Sequence, residues 1–430
     1  MQVLAASFFL QMAVILLTCR LVGMLAKKVG QPQVVGEMIA GVLLGPSLLG
    51  LFFPDVMAQL FTKESRSVLF VGAQLGVGLY MFLVGMEFKT ELFRSRARSA
   101  ASVSIAGMVV PFILGAVLAP WLVKVPGIFS ANVKVYEAGL FLGAAIAITA
   151  FPMLARIIYE RGLSGTSLGT LALAAGAIDD AAAWCVLAIV LASFGAGSAH
   201  FLGMEVNPAV LAIGGGAFYA IFMLTIGKKL LARLGTWAAR DGAVSPALMA
   251  IVLMLFSLSA WFTDHIGIHA VFGGFVLGIA MPRGVLTEDL TRKLEPFTVI
   301  FLLPMFFTFS GLSTKLNMLV DPTVLIIAVV ILLASTLGKG VACWAAARLN
   351  GEDNRTALAV GALMNSRGLM ELIIINIGLQ KGVIGLKLFS ILVVMAIVTT
   401  LMATPIFERV YGRHQRAKKE TDLGDLPIGG

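Results

Sequence analysis

A series of long apolar segments constrains the fold of this chain more than any other feature. About thirteen stretches approach 20 residues, the length at which a helix crosses a hydrocarbon core of about 30 Å. They begin near Val3, Gln33, Val68, Ala100, Gly139, Leu168, Pro208, Pro246, Gly267, Phe297, Pro322, Thr356 and Leu388. Because 59% of the residues are hydrophobic and 13% are charged, no soluble core could cover this apolar surface. The sequence predicts an all-α polytopic membrane protein with about 13 transmembrane helices.

The basic residues are distributed unevenly between alternate loops. Of the 32 Lys and Arg residues, 22 lie in loops after odd-numbered segments or in the tail, and seven lie in loops after even-numbered segments. Because basic loops remain cytoplasmic, we expect the N-terminus outside and the C-terminus inside a bacterial inner membrane, with residues 411–430 as a short cytoplasmic tail. The net charge of +9 is then a topology signal. Membrane lipid is an expected partner, and nucleic acid is not.

Two short motifs indicate an internal repeat. A Gly-x-x-Leu-Gly pattern occurs at residues 41–45 and again at 274–278, seven segments later. Seven is odd, so the two copies cross the membrane in opposite directions, as in the inverted repeats of many secondary transporters. We therefore expect one transmembrane domain over 1–410, with repeat one at about 3–195, a linker span at about 207–227 and repeat two at about 246–410. Ordinary helix packing is the alternative explanation of the glycines.

Corresponding segments of the two predicted repeats are interrupted. Segment five contains Thr149-Ala150-Phe151-Pro152, and segment twelve contains Asn365-Ser366-Arg367-Gly368. Interrupted spans at matching positions are the best sequence indication of a transporter binding site, because unwound backbone and helix ends supply ligands within the membrane. Pro152 and Gly368 are the predicted helix-breaking residues, and an ordinary proline kink is the alternative in segment five.

Asp179 and Asp180 are adjacent carboxylates near the centre of segment six. Each charge at that depth costs about 2.5–3.5 kcal/mol on insertion scales, so two together need a reason. Carboxylate oxygens are hard ligands that suit alkali cations, and they also bind protons. The pair is a candidate site for competition between a monovalent cation and protons. A carboxylate held for helix packing is the alternative.

Further polar side chains inside the segments complete the candidate site. Lys339 is flanked by glycines and needs a carboxylate partner, for which an aspartate is available; a static ion pair is the alternative. Arg367 and Glu371 are spaced i,i+4 and could serve an ion pathway or simply pair on one helix face. Thr149 could offer its hydroxyl to a cation beside carbonyls freed by Pro152. Asn365 is a candidate polar cap at the second interruption.

Together these residues resemble the monovalent cation:proton antiporter superfamily, in the branch of bacterial sodium/proton antiporters, Kef-type potassium efflux proteins and plant cation/proton exchangers. The matching pieces run in order along nearly the whole chain: Gly36-Glu37 to Gly45-Pro46, Ile148 to Pro152 with Leu154-Ala155-Arg156, Ala177 to Asp180 with Ala183-Trp184, Phe272-Gly273-Gly274, Lys339, and Asn365 to Gly368 with Glu371-Leu372. The resemblance implies a thirteen-span fold, dimer and core domains, two discontinuous crossing helices, a homodimer and elevator-type alternating access.

The resemblance also implies roles for individual residues. Asp180 resembles the aspartate that carries the cation or proton, and Asp179 resembles its neighbour that pairs with Lys339. Thr149 resembles the threonine at the helix crossing, and Glu371 resembles an acidic residue that balances charge. Relatives often have Asn where this chain has Asp179, and no cytosolic nucleotide-binding regulator like that of the Kef-type proteins is expected here.

These observations predict a secondary antiporter that exchanges protons for Na⁺ or K⁺, with neither enzymatic activity nor a cofactor. A gated cation channel is one alternative. An intramembrane aspartyl protease is another, but it needs two aspartates on different helices that face each other. If Asp179 releases a proton when Lys339 lets go of it, and Asp180 releases another, each cycle exchanges about two protons for one cation and moves charge across the membrane.

Overall fold

A computed structural model describes residues 2–87, 93–161, 163, 166–193, 199–201, 204–206, 208–266 and 268–412. Its α-helices are α1 (Gln2–Lys28), α2 (Gln33–Leu44), α3 (Leu49–Phe52), α4 (Pro54–Leu60), α5 (Lys63–Glu87), α6 (Phe93–Leu122), α7 (Val135–Ala147), α8 (Phe151–Glu160), α9 (Ser167–Ser193), α10 (Pro208–Phe222), α11 (Lys228–Asp241), α12 (Pro246–His265), α13 (Ala270–Ala280), α14 (Val285–Phe297), α15 (Leu303–Leu312), α16 (Pro322–Leu349), α17 (Asn354–Leu363), α18 (Leu369–Gln380) and α19 (Leu386–Phe407).

Short irregular elements complete the described chain. Three π-helical turns, Met223–Gly227, Thr298–Leu302 and Glu408–Gly412, continue or join α-helices, and Leu316–Val320 is a 3₁₀ turn. A small antiparallel hairpin pairs β1 (Ala199–Phe201) with β2 (Met204–Val206). Apart from this hairpin and two isolated bridges, the described residues are helical or irregular, which confirms the all-α class.

Eight helical stretches of the described chain are long and apolar enough to cross a membrane, and three shorter apolar helices accompany them. The multi-pass prediction is confirmed, but this criterion does not establish the predicted count of thirteen. The predicted spans five, nine and twelve are broken or short, so length alone does not identify them as spans. The predicted start at Gly267 and the tail from Arg413 onward lie outside the described residues.

The chain forms two compact units, and each draws on both halves of the sequence. Unit 1 comprises Met1–Lys89 and Trp184–Asn317, and unit 2 comprises Thr90–Ala183 and Met318–Gly430. All the candidate site residues therefore belong to unit 2.

Glycines bring helix backbones into direct contact in unit 1. A Cβ at Gly41 of α2 would collide with the Phe307 carbonyl of α15, and a Cβ at Gly311 would collide with the Gly41 carbonyl. A Cβ at Gly278 of α13 would likewise collide with the Phe82 carbonyl of α5. Such close approach is what small residues allow between membrane helices. The two Gly-x-x-Leu-Gly motifs thus both lie at close helix contacts.

The predicted inverted repeat offers one way to relate these contacts, and it stays a prediction. With a shift of seven spans, the second span corresponds to the ninth and the third to the tenth. Under that shift α2 corresponds to α13, and α5 corresponds to α15. The observed contact of α2 with α15 therefore corresponds to the observed contact of α13 with α5. In unit 2, α6 and α16 are also counterparts, and they pack against each other.

Candidate functional site

Two interrupted helices meet at the centre of unit 2. Between α7 and α8, residues 148–150 leave the helical conformation, and Pro152 lies in the first turn of α8, where its missing N–H costs no helical bond. The second break lies between α17 and α18. There the Ser366 carbonyl accepts a hydrogen bond at 3.1 Å from the backbone N–H of Ala150, which lies in the first break. The two breaks are thus joined through their main chains, as in a helix crossing.

Gly368 precedes α18 directly at this crossing. A Cβ at Gly368 would lie 3.3 Å from the Cβ of Ala150 in the other break. A larger side chain would therefore push the two extended segments apart.

Asp179 of α9 is fully buried and accepts three hydrogen bonds. The Ser104 hydroxyl donates to Oδ1 at 2.8 Å, the Thr149 hydroxyl donates to Oδ2 at 2.6 Å, and Lys339 Nζ donates to Oδ2 at 2.8 Å. Lys339 also donates to the Ala147 carbonyl, the last of α7. Charge-assisted bonds of this kind stabilise the ionised carboxylate and the ammonium together. The structure therefore holds Asp179 and Lys339 as a bonded, buried ion pair.

Thr149 has two oxygen neighbours for a single hydroxyl hydrogen. Its Oγ1 lies 2.6 Å from Asp179 Oδ2 and 3.0 Å from the Met364 carbonyl of the other break. A hydroxyl donates one hydrogen bond at a time, so the Thr149 oxygen and the Met364 carbonyl keep lone pairs at the crossing. Both oxygens are suitable ligands for an alkali cation.

Asp180 is as deeply buried as Asp179, yet its environment differs. Both carboxylate oxygens are inaccessible to solvent, and neither has a hydrogen-bond partner in the part of the chain that the structure describes. A bare carboxylate is costly in such a place unless it binds a proton or a cation. Asp180 is therefore a candidate to hold either one.

Arg367 is also fully buried, and it connects the two breaks. Its guanidinium donates to the Ala145 carbonyl at 3.1 Å, the Ile148 carbonyl at 3.4 Å and the Ser335 hydroxyl at 2.5 Å, and it also contacts the Ile146 carbonyl. These carbonyls lie at and just beyond the C-terminal end of α7, where intrahelical partners run out. Arg367 thus caps the end of the broken helix.

Glu371 and Asn365 complete the surroundings of Arg367. Glu371 Oε1 lies 3.4 Å from Arg367 Nη1, as the i,i+4 spacing predicts, but neither carboxylate oxygen has a hydrogen-bond partner among the described residues. Asn365 donates to the Gly361 carbonyl at 3.0 Å and to the Thr336 carbonyl at 3.2 Å. Asn365 therefore satisfies the C-terminal end of α17 and does not cap the start of α18.

Sequence reasoning missed Ser104 and the carbonyls that bind Arg367. Ser104 lies on α6, 75 residues before its partner Asp179, and only its place inside an apolar helix could have drawn attention to it. The Met364 carbonyl could have been inferred only in general terms, because the sequence showed a break but not which oxygen it would present.

Replacing Ser104 with alanine tests whether this bond supports the Asp179 pair. Loss of a hydrogen bond to a charged group should lower the free energy of unfolding by about 1.5–3 kcal/mol. Exchange should persist, because Asp180 is unchanged. The matched control is Ser102→Ala on the same helix, whose hydroxyl donates to the Arg98 carbonyl of that helix. Equal thermal stability of the two variants in detergent would contradict the prediction.

The most deeply buried charges of unit 2 do not cancel. Five described charged side chains are no more than 1% exposed. Three of them are acidic, Asp179, Asp180 and Glu371, and two are basic, Lys339 and Arg367. With all five ionised, the sum is one negative charge. A single monovalent cation or a single proton brings this interior to neutrality. Among the described residues, no cluster of three or more His, Cys, Asp or Glu forms a different metal site.

Comparison with known proteins adds an independent line of observation. The sequence profile described as "Sodium/hydrogen exchanger, transmembrane" matches residues 13–410. The Na(+)/H(+) antiporter NhaS4 of Synechocystis sp. is 38% identical over an alignment of 409 positions that covers 93% of this chain and 95% of that protein. The K(+)/H(+) antiporter 1 of Saccharomyces cerevisiae is 31% identical over 94% of this chain, and this chain spans about half the length of the yeast protein.

A solved structure shares the architecture. The sodium proton antiporter MjNhaP1 from Methanocaldococcus jannaschii, determined at pH 8, aligns with a TM-score of 0.63 over 94% of this chain and 96% of its own. At 14% sequence identity, this similarity concerns the fold alone.

Proposed function

The chain belongs to the sodium/hydrogen exchanger family, and from this premise we propose that it exchanges Na⁺ or K⁺ for protons at Asp180 of unit 2. Cation/proton antiport is the activity of the family, so the protein is a transporter and not an enzyme. The observation that carries the finer proposal is the contrast between Asp179, which accepts three hydrogen bonds, and Asp180, which has none among the described residues.

The proposed exchange is a competition for one carboxylate. A proton on Asp180 neutralises it on one side of the membrane. A cation that arrives from the other side takes the place of the proton, with Asp180 oxygens and the lone pairs of Thr149 and the Met364 carbonyl as ligands. A buried carboxylate that binds neither a proton nor a cation is costly. The site therefore favours exchange of the two ions over movement across the membrane with Asp180 unoccupied. Lys339 and Asp179 remain paired throughout.

The charge sum of the five most deeply buried charged side chains of unit 2 supports an exchange of one proton for one cation. Releasing a second proton per cycle would require Lys339, Asp179 or Glu371 to change its protonation, although Lys339 and Asp179 already have bonded partners and Glu371 lies 3.4 Å from the Arg367 guanidinium. We therefore propose one-for-one exchange in place of the two-proton exchange expected from the paired aspartates. Such a cycle moves no net charge and is insensitive to membrane potential.

A reversal measurement in proteoliposomes tests this stoichiometry. With the potential clamped at zero, a gradient of one pH unit should be balanced by about a tenfold cation gradient for one-for-one exchange, and by about a hundredfold gradient for two protons. We expect balance near tenfold, unchanged when the potential is altered. Balance near a hundredfold would restore Asp179 as a second proton carrier.

The same family membership supports the remaining parts of the proposal. We propose that the protein is a homodimer in a bacterial inner membrane, with the N-terminus outside and the C-terminus in the cytoplasm. Unit 2 contains the whole crossing and would carry the site across the membrane in an elevator-type movement. Accessibility of single cysteines to impermeant reagents, measured from each side with and without a cation, tests both the orientation and the movement.

The experiment that tests the proposed function is cation-driven proton movement in proteoliposomes. Purified protein is reconstituted with an internal pH indicator dye, and Na⁺, K⁺, Li⁺ or Rb⁺ is added outside. Proton flux that depends on Na⁺ or K⁺ supports antiport and ranks the cations. Cation flux that leaves an imposed proton gradient intact would instead support a gated channel.

A further inference from the structure

Helix α19 contacts the second break through a fully buried side chain, Thr400. This helix packs against α17, which precedes the break, and against α18, which follows it. We propose that Thr400 is a positioning residue for the cation site, because it holds the main chain of the break so that the Met364 carbonyl stays available to a cation. The inference rests on the proposed function, since it concerns the exchange at Asp180.

The Thr400 hydroxyl bonds both main-chain polar groups of one residue in the break. Its oxygen accepts a hydrogen bond from the Arg367 N–H at 3.1 Å, and the hydroxyl donates toward the Arg367 carbonyl at 2.8 Å. Its other acceptor is the Ala396 carbonyl of its own helix, at 2.7 Å. The single hydroxyl hydrogen serves one of these two carbonyls at a time. Two contacts with one residue restrict its rotation as well as its distance from α19.

Arg367 lies where the helical hydrogen bonds stop. Residues 366–368 are not helical, so their main-chain groups need partners from elsewhere within the membrane. Thr400 supplies a partner at Arg367, and the N–H of Ala150 supplies one for the Ser366 carbonyl at 3.1 Å. Two consecutive residues of the second break are thus bonded to different neighbours, one to α19 and the other to the first break.

The proposed cation ligands lie close to this anchor along the chain. Met364 is three residues before Arg367, and its carbonyl lies 3.0 Å from the Thr149 hydroxyl oxygen. The residue after Thr149 makes the main-chain bond that joins the two breaks. Removing the Thr400 hydroxyl would therefore release a restraint on both ligands, although Thr400 itself contacts neither of them in the proposed site.

This restraint should affect cations and protons differently. A bound cation needs several oxygen ligands at once, so its affinity depends on the Met364 carbonyl as well as on Asp180. A proton needs only the Asp180 carboxylate. Loosening the break should therefore weaken cation binding and leave proton binding unchanged. A role limited to folding would instead lower the amount of active protein and affect both ions equally.

Thr400→Val removes the hydroxyl and nearly keeps the shape of the side chain. In proteoliposomes we expect the KM for the transported cation to rise about tenfold, with kcat unchanged. The pH at which protons double this KM should remain that of the wild type. The matched control is Thr399→Val at the adjacent, equally buried position, where the hydroxyl donates to carbonyls of its own helix. This control should keep the wild-type KM.

Two further variants separate positioning from folding. Thr400→Ser keeps the hydroxyl and should show a KM close to that of the wild type. Thr400→Cys keeps a weaker donor and acceptor at the same place, so it should raise the KM less than Thr400→Val does. It tests the same direction of change if the valine variant does not fold.

Several results would overturn the inference. They are an unchanged KM in both Thr400→Val and Thr400→Cys, an equal rise in Thr399→Val, or a raised KM in Thr400→Ser. A lower kcat with the wild-type KM would also overturn it, because Thr400 would then serve folding alone. Wild-type protein without cation-driven proton movement would contradict the proposed function itself, whereas the other results leave that function standing.

Discussion

Asp180→Asn is expected to reduce cation-driven proton movement to the level of empty liposomes. The amide is close in shape to the carboxylate, but it binds neither a proton nor a cation with comparable strength. Removing a charge from the membrane interior also lowers its insertion cost by about 2.5–3.5 kcal/mol. The variant should therefore fold at least as well as wild type while it fails to transport. Dye dequenching in proteoliposomes, together with thermal unfolding in detergent, measures both effects.

The matched control is Asp55→Asn, which makes the same change at an exposed position in the first turn of α4. It should exchange at the rate of the wild type. Residual cation-dependent proton flux in Asp180→Asn, above that of empty liposomes, would show that another group carries the ion. Loss of flux accompanied by loss of thermal stability would also contradict the prediction, since the defect would then be one of folding.

Arg367→Gln is expected to destabilise unit 2 more than any other single change at the crossing. It removes the donors for three carbonyls near the end of α7 and leaves Glu371 as a buried charge without its partner. Breaking a buried ion pair by removing one member costs about 3–5 kcal/mol. Thermal unfolding in detergent should show a large decrease in stability. Arg348→Gln, which removes an exposed arginine from the end of α16, is the control and should have little effect.

A double variant separates the two causes. In Arg367→Gln, Glu371→Gln no uncompensated charge remains, so part of the lost stability should return, while the α7 carbonyls stay without donors. Full recovery would mean that the carbonyl bonds contribute nothing. No recovery would mean that Glu371 is not paired with Arg367 in the folded protein.

Sequence reasoning predicted the ionic residues of the site better than their surroundings. The pairing of Lys339 with an aspartate followed from its depth in an apolar helix, since a buried ammonium needs an anion and few were available. The spacing of Arg367 and Glu371 allowed a pair on one helix face, and the two side chains lie 3.4 Å apart. The sequence did not indicate that Arg367 bonds mainly to carbonyls more than 200 residues away, because tertiary backbone contacts leave no local pattern.

The hydroxyl groups of the site were also difficult to predict from the sequence. Serine and threonine are common in membrane helices, where they usually bond their own helix, as Thr399 does with the Met395 carbonyl. Ser104 differs only because α6 places it opposite Asp179. The short and broken spans are also difficult, because helices such as α13 are apolar but too short for a length criterion to identify them as spans.

The end of α7 has a mechanical consequence. Lys339 belongs to α16 and Arg367 to the break between α17 and α18, yet both donate to carbonyls of residues 145–148. The partial negative charge at a helix C-terminus attracts cations, and here two of them share it. Unravelling this turn would expose both cations at once, so the turn cannot fray by itself. We expect the amide hydrogens of this turn to be among the slowest in the protein to exchange with solvent. The turn would then be a rigid support for both breaks.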